Sequence, residues 1–162
     1  MAEKTVFSSH PFGPLFGPGS EILILGSFPS PASREEGFYY GHPRNRFWDV
    51  LAGVYHEEAP SSIEEKKAFI LSHNLALYDA YEALTVQGSS DASIRDAMVA
   101  DITPILKGAR IKKVLANGKA AGRGALSMSL SIPVYVLPST SPANAAWSLS
   151  KLISAWGKAL LL

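Results

Sequence analysis

"EILILG", residues Glu21 to Gly26, holds four consecutive apolar residues and closes on glycine. The run is too short for a helix and contains β-branched isoleucine, so it reads as a strand. It does not alternate with polar residues, which leaves it no face for water. Continuous runs of this kind belong to strands covered on both sides, the habit of parallel sheets. Three more follow along the chain: "NLALYD" (Asn74–Asp79), "KVLAN" (Lys113–Asn117) and "IPVYVLP" (Ile132–Pro138).

Helical patterns fill the gaps. From Arg46 to Tyr55, residues Phe47, Val50, Leu51 and Val54 share one stripe. Ser62 with Glu65 three positions later forms a capping box for a helix ending near Ser72. Further helices are expected over Asp101–Lys107 with Gly108 as its C-cap, over Gly118–Met128, and over Pro142–Leu162 with Trp147, Leu152, Ile153, Trp156 and Leu160 buried. Strands alternating with helices predict an α/β fold: a three-layer α/β/α sandwich on a four-stranded, mostly parallel sheet.

The chain has 162 residues, which favours one domain spanning residues 1–162. Residues 1–20 are punctuated by proline and glycine and read as an extended N-terminal arm, with Phe7, Phe12 and Phe16 as anchors. A net charge of +1 neither demands nor forbids a nucleic-acid partner. There is no cysteine, which removes disulfides, thiolate metal sites and cysteine nucleophiles together. His10, His42, His56 and His73 have no metal-ligand spacing, so no metal is expected. No signal peptide and no apolar run near the roughly 18 residues of a membrane span can be found, so the expectation is a soluble, cytoplasmic protein.

In open parallel sheets ligands bind beyond the carboxyl ends of the strands. The loops there are Ser27–Arg44, Tyr81–Ser93, Gly118–Ala120 and Ser139–Asn144. The sequence "GSFPSP" after the first strand lacks the dinucleotide fingerprint, and "ANGKAAG" lacks the spacing of a phosphate-binding loop. The nucleophile-elbow pattern is absent too. The expectation is a site that needs no cofactor. What remains is "GSFPS", the aromatic and cationic cluster "GFYYGHPRNRFW", and "PSTSPAN".

These three stretches, in this order, resemble the uracil-DNA glycosylase superfamily, and within it the hypoxanthine-DNA (deoxyinosine) glycosylase branch. Mismatch-specific uracil/thymine glycosylases are near relatives. The resemblance covers roughly residues 20 to 150, and "GFYYGHPRNRFW" is its specific part. It implies a monofunctional glycosylase, probing DNA that contains deaminated bases, which flips the nucleotide out and hydrolyses the bond between base and sugar. It implies a four-stranded parallel sheet between helices, no cofactor, and a monomer.

By its place in the motif, Tyr40 is similar to the ring that stacks on the flipped base, with Phe28 beside it. Asn45 is implied as the catalytic residue, orienting water and stabilising an oxocarbenium-like transition state. On the residues alone, Asn45 equally reads as the cap of the helix beginning near Arg46. Phe28 stands where many relatives carry an acidic or amide residue that positions water. Ser139 stands where they carry histidine, and Ala143 where they carry an intercalating leucine. Asp79 ends the second strand where relatives read the base edge, and is equally at home as a turn residue. Ser27, Ser30, Ser141, Asn144, Arg44 and Lys119 are candidate contacts to the DNA backbone, with Arg34 and Arg46 as further cations. For Ser141 the amides entering the last helix would help to hold a phosphate. "GSSDAS" (Gly88–Ser93) is a polar loop on the same rim, and His42 reads as structural or catalytic. Rival readings are a uracil or G:U/G:T mismatch glycosylase, a non-catalytic damaged-DNA-binding module, and an unrelated small-molecule hydrolase using Asp79 and a serine.

Overall fold

The computed structural model describes residues 5–9, 12–28, 31–87 and 94–162. The four apolar runs become strands β2 (Ile22–Gly26), β3 (Leu75–Asp79), β6 (Lys113–Asn117) and β7 (Val134–Leu137), joined in the order β3-β2-β6-β7. All three pairings are parallel, and the register sets Gly26 beside Asp79 and Asn117 beside Leu137. The carboxyl ends of the four strands therefore finish on one line.

The sheet is buried because its residues leave no polar face. Leu23, Ile24, Leu25, Leu75, Leu77, Val114 and Leu115 are all fully buried. Taking each of these side chains out of water contributes about 1.5–3 kcal/mol. Helices α2 (Phe47–Tyr55) and α6 (Leu149–Leu161) pack on each other, with Phe47 and Trp156 meeting edge to face. Helix α3 (Ile63–Ser72) lies against β3, and α5 (Lys119–Ser127) against β6 and β7. A side chain at Gly124 would strike Ala80 and the ring of Tyr81, so α5 can lie this close to the sheet only without one. Ser62 caps α3 by accepting from Glu65 N at 3.0 Å, as its capping box predicts.

Four features differ from expectation. The last helix begins at Leu149, where Ser148 caps it by accepting from Lys151 N, and residues 141–147 form turns instead. The segment expected as a loop from Tyr81 contains strand β4 (Tyr81–Gln87), paired antiparallel with β1 (Thr5–Ser9) and β5 (Ile94–Val99) in a second sheet. A short helix α1 (Pro31–Glu36) also interrupts the first long loop. Helix α4 runs Thr103–Gly108, so Gly108 is its last residue and not its C-cap, and Asp101, just ahead of the helix, accepts from Thr103 N at 3.0 Å.

The N-terminal segment closes the free edge of β3. Leu15 and Leu77 exchange both backbone hydrogen bonds, at 3.0 and 2.9 Å, and Ser20 donates to the Leu75 carbonyl. Phe12 packs edge-on against Tyr39, and Phe16 sits under Gly108. No helix of the described residues is long and apolar enough to cross a membrane.

Candidate active site

The strand ends place the site. Gly26 ends β2, and a side chain there would collide with the Asp79 carboxylate and reach within 3.0 Å of the Tyr40 hydroxyl. Glycine is thus required for Asp79 and Tyr40 to close over the strand end. Asp79 is buried, 4% exposed.

Tyr40 is held by two constraints. Its backbone takes a left-handed conformation, φ 55°, which is uncommon for a bulky residue and aims the ring inward. One face of the ring stacks on Phe47, with centroids 3.9 Å apart and planes 19° from parallel. The hydroxyl is buried and has no hydrogen-bond partner among the described residues. Burial first, and the Asp79 charge second, hold this hydroxyl protonated far above the usual tyrosine range; the Asn117 amide lies near enough to offset a little, though outside hydrogen-bonding geometry. Tyr39 is shifted the same way, by burial first and then Asp79, and donates to the Gly13 carbonyl at 2.8 Å.

Asn45 lies two residues before the Phe47 that stacks on Tyr40. Its Oδ1 accepts from Phe47 N at 3.0 Å and from the Thr140 hydroxyl at 2.8 Å. Thr140 in turn accepts at its Oγ1 from Asn117 Nδ2 and donates its backbone N–H to Asn117 Oδ1, both at 3.0 Å. Asn117 ends β6, Thr140 follows β7, and Asn45 precedes α2. Three chain segments are thereby tied into one polar chain. Asn45 does bond the first helical amide, so the helix-entry reading and the site position coincide in one residue.

Arg46 fixes the last loop. Its backbone N–H donates to the Thr140 carbonyl, and its guanidinium donates to the carbonyls of Ser141, Asn144 and Trp147. Three of the five guanidinium N–H donors are thereby spent on the protein's own carbonyls, and the buried Nε has no partner among the described residues, so the contact expected between Arg46 and a phosphate competes with this internal fork. The helix amides expected at Ser141 are seven or more residues away, at the start of α6. The Ser141 hydroxyl accepts from Ala143 N instead, and Asn144 Nδ2 donates to the Ser139 carbonyl.

A model of the uracil DNA glycosylase superfamily matches residues 14–160. The chain belongs to that superfamily. Among curated relatives, a hypoxanthine DNA glycosylase of Methanosarcina acetivorans is 35% identical over 132 residues, covering 80% of this chain and 84% of the relative. A hypoxanthine DNA glycosylase of Methanosarcina barkeri is 34% identical over 152 residues, 91% of this chain and 95% of that one. Among solved structures, a solution NMR structure from Methanosarcina acetivorans, provisionally described as a uracil DNA glycosylase, superimposes with a TM-score of 0.82 at 28% identity. It covers 96% of this chain and 97% of its own. The four-stranded parallel sheet flanked by helices is the fold the sequence motifs led us to expect.

On this superfamily frame the remaining expected residues fall as follows. Ser27 and Phe28 are half-buried and directly follow Gly26. Ser139 packs against Gly118, its Oγ accepting from Ser141 N at 3.1 Å while keeping its own proton to donate. Arg44 and Lys119 are exposed, one beside Asn45 and the other at the first position of α5. Arg34 lies on α1. His42 Nδ1 accepts from Arg44 N at 3.0 Å, which leaves its other ring nitrogen to donate. Ser30, His10 and Gly88–Ser93, with Ser89, Ser90 and Asp91, lie outside the described residues. Sequence reasoning missed Asn117 and Thr140. The signal for both was visible as polar side chains at the ends of the third and fourth strands. Among the described residues no cluster of acidic and histidine side chains could hold a metal ion.

Proposed function

We infer that this protein is a monofunctional DNA glycosylase that removes hypoxanthine from deoxyinosine in DNA and leaves an abasic site. The observation that carries the reading is the closing of Tyr40 and Asp79 over the end of β2, with Asn45 tied to the neighbouring strand ends through Thr140 and Asn117, in a chain about 35% identical to relatives named hypoxanthine DNA glycosylases. It acts as a monomer, on DNA inside the cell, with deaminated bases as its substrates.

The chemistry needs no more than the chain supplies. The bond from C1′ to the base nitrogen breaks with its electron pair going to the base, and a water oxygen bonds to C1′. One water proton stays on the sugar hydroxyl and the other ends on the base, so the products are neutral hypoxanthine and the abasic sugar. In this reading the free face of Tyr40, with Phe28 beside it, receives the flipped ring. Asp79 accepts from the N1–H of hypoxanthine, a hydrogen that adenine lacks at that position. Ser139 donates to the base, and Asn45 stabilises the transition state. Arg44 and Lys119, supported by Ser27, Ser30, Ser141 and Asn144, hold the DNA backbone.

End-labelled duplexes carrying one hypoxanthine, uracil, xanthine or mismatched thymine test this, with alkali to break abasic sites. Hypoxanthine should be released, and Asn45→Ala should slow release on the order of 10²–10³-fold while still folding. Release chiefly of uracil would overturn the substrate. Binding to lesion DNA with no base released would make the protein a recognition module.

A further inference from the structure

The directions of the hydrogen bonds around Asn45 are not free. A backbone N–H can only donate, so Thr140 N fixes the atom it meets as Asn117 Oδ1, 3.0 Å away. The other terminal atom of Asn117 is then the amide nitrogen, which donates to Thr140 Oγ1 at 3.0 Å. Having accepted there, the Thr140 hydroxyl passes its one proton to Asn45 Oδ1 at 2.8 Å. From the opposite end, Phe47 N–H independently requires oxygen at the same position, 3.0 Å away. Both ends give the same answer, so the orientation of the Asn45 amide follows from two backbone groups and not from a choice between flips. Thr140 is 0% exposed, so water does not compete for this chain.

Both lone pairs of Asn45 Oδ1 are therefore occupied, and the half-buried side chain keeps Nδ2, with its two hydrogens, as its only unspent group among the described residues. We propose that Thr140 and Asn117 are positioning residues that hold Asn45 as a hydrogen-bond donor to the departing base, and that Asn45 takes no proton from the attacking water. This deepens the glycosylase reading and rests on it. As the glycosidic bond breaks, electron density moves onto the base, so an N–H aimed at a ring-nitrogen or carbonyl acceptor binds more strongly in the transition state than before it. A donor is what the leaving group needs. An acceptor there would repel it.

Two substitutions separate donor from acceptor. In Asn45→Asp one carboxylate oxygen can still meet Phe47 N and Thr140, while the other replaces the N–H with a lone pair. Single-turnover release from a deoxyinosine duplex by Asn45→Asp should be as slow as by Asn45→Ala at neutral pH. It should recover relative to the wild type as pH falls toward the ordinary aspartate value of about 3.9, where the carboxyl regains a hydrogen. An Asn45→Asp protein as fast as the wild type at neutral pH would overturn the proposal. Thr140→Val should slow release about tenfold to a hundredfold with duplex affinity unchanged, and Thr140→Ser should restore it to within about threefold. An undisturbed rate in folded Thr140→Val would remove the positioning claim.

A readout independent of activity completes the test. The side-chain amide resonances of Asn45, assigned by their loss in Asn45→Ala, are followed as wild-type protein binds a duplex carrying a 2′-fluoro deoxyinosine analogue that resists cleavage. They should shift with this duplex and not with an undamaged one. Unmoved amide resonances in a saturated complex would overturn the donor assignment. If the wild type releases no base from any duplex, the glycosylase reading fails, and the resonances still decide whether Asn45 donates to the lesion.

Discussion

Tyr40 and Phe47 stack at 3.9 Å, so Phe47 covers one face of the Tyr40 ring. The Tyr40 hydroxyl is buried and has no hydrogen-bond partner among the described residues. An unpaired buried hydroxyl costs about 1–3 kcal/mol of stability, and a protein keeps one only where something else uses it. Tyr40→Phe should therefore stabilise the free protein by about 1 kcal/mol in urea denaturation while slowing base release about tenfold. A loss of stability in this variant would mean that the hydroxyl already has a partner.

Arg46 ties the Ser141–Trp147 turns to the start of α2 through three carbonyls. Lysine keeps the charge but cannot fill three acceptors from one planar fork. Arg46→Lys should lose about 2–4 kcal/mol of stability, scaled down from the usual strength of charged hydrogen bonds because the site is only partly buried. Base release should fall with it, since the turns that follow Thr140 lose their ties to the start of α2. The salt dependence of DNA binding should stay the same, because no phosphate contact is removed. A shallower salt slope would restore Arg46 to the DNA-binding surface.

Arg44 and Lys119 are the contrasting case, exposed and flanking the strand ends. Each phosphate neutralised by such a residue contributes about 0.9 to the slope of log affinity against log salt on duplex DNA. Arg44→Ala and Lys119→Ala should each reduce the slope by about that amount, and together by about twice it, on lesion and undamaged duplexes alike. An unchanged slope in fluorescence anisotropy titrations would assign these cations to solvent.

The sheet was legible because its strands are continuous apolar runs, a pattern that depends only on local sequence. β4 was not, since Tyr81–Gln87 mixes polar and apolar residues and its partner β1 lies in the N-terminal segment whose prolines and glycines pointed to an extended arm. The start of α6 was misplaced for a related reason. Ser141 and Pro142 look like a helix entry, yet Arg46, 95 residues away in sequence, captures the Ser141 carbonyl and holds the chain in turns until Ser148. The positions of Asp79 at a strand end and of Asn45 at a helix entry were legible in the sequence. The Asn117–Thr140–Asn45 chain was not, because its meaning lies in the direction of each hydrogen bond, and direction is set only when three distant segments meet.

Alkaline pH offers the last prediction. Burial, with the Asp79 charge as a smaller contribution, raises the Tyr39 and Tyr40 hydroxyls far above the unfolded value of about 10. Burial also pushes Tyr55 and Tyr78 up to about 12. A raised folded value means that the native state keeps a proton which the unfolded chain loses first. Stability from these groups is fully present below pH 10 and declines as pH rises above it. Each deeply buried tyrosine, Tyr39 and Tyr40, adds a slope of about 1.4 kcal/mol per pH unit in that range. The urea midpoint should therefore fall steeply above pH 10, and tyrosinate absorbance should rise together with the loss of secondary structure. Tyr40→Phe should make the decline shallower by one such slope. Tyrosinate appearing while the protein is still fully folded would show that water reaches these hydroxyls and that they are not sealed beneath the strand ends.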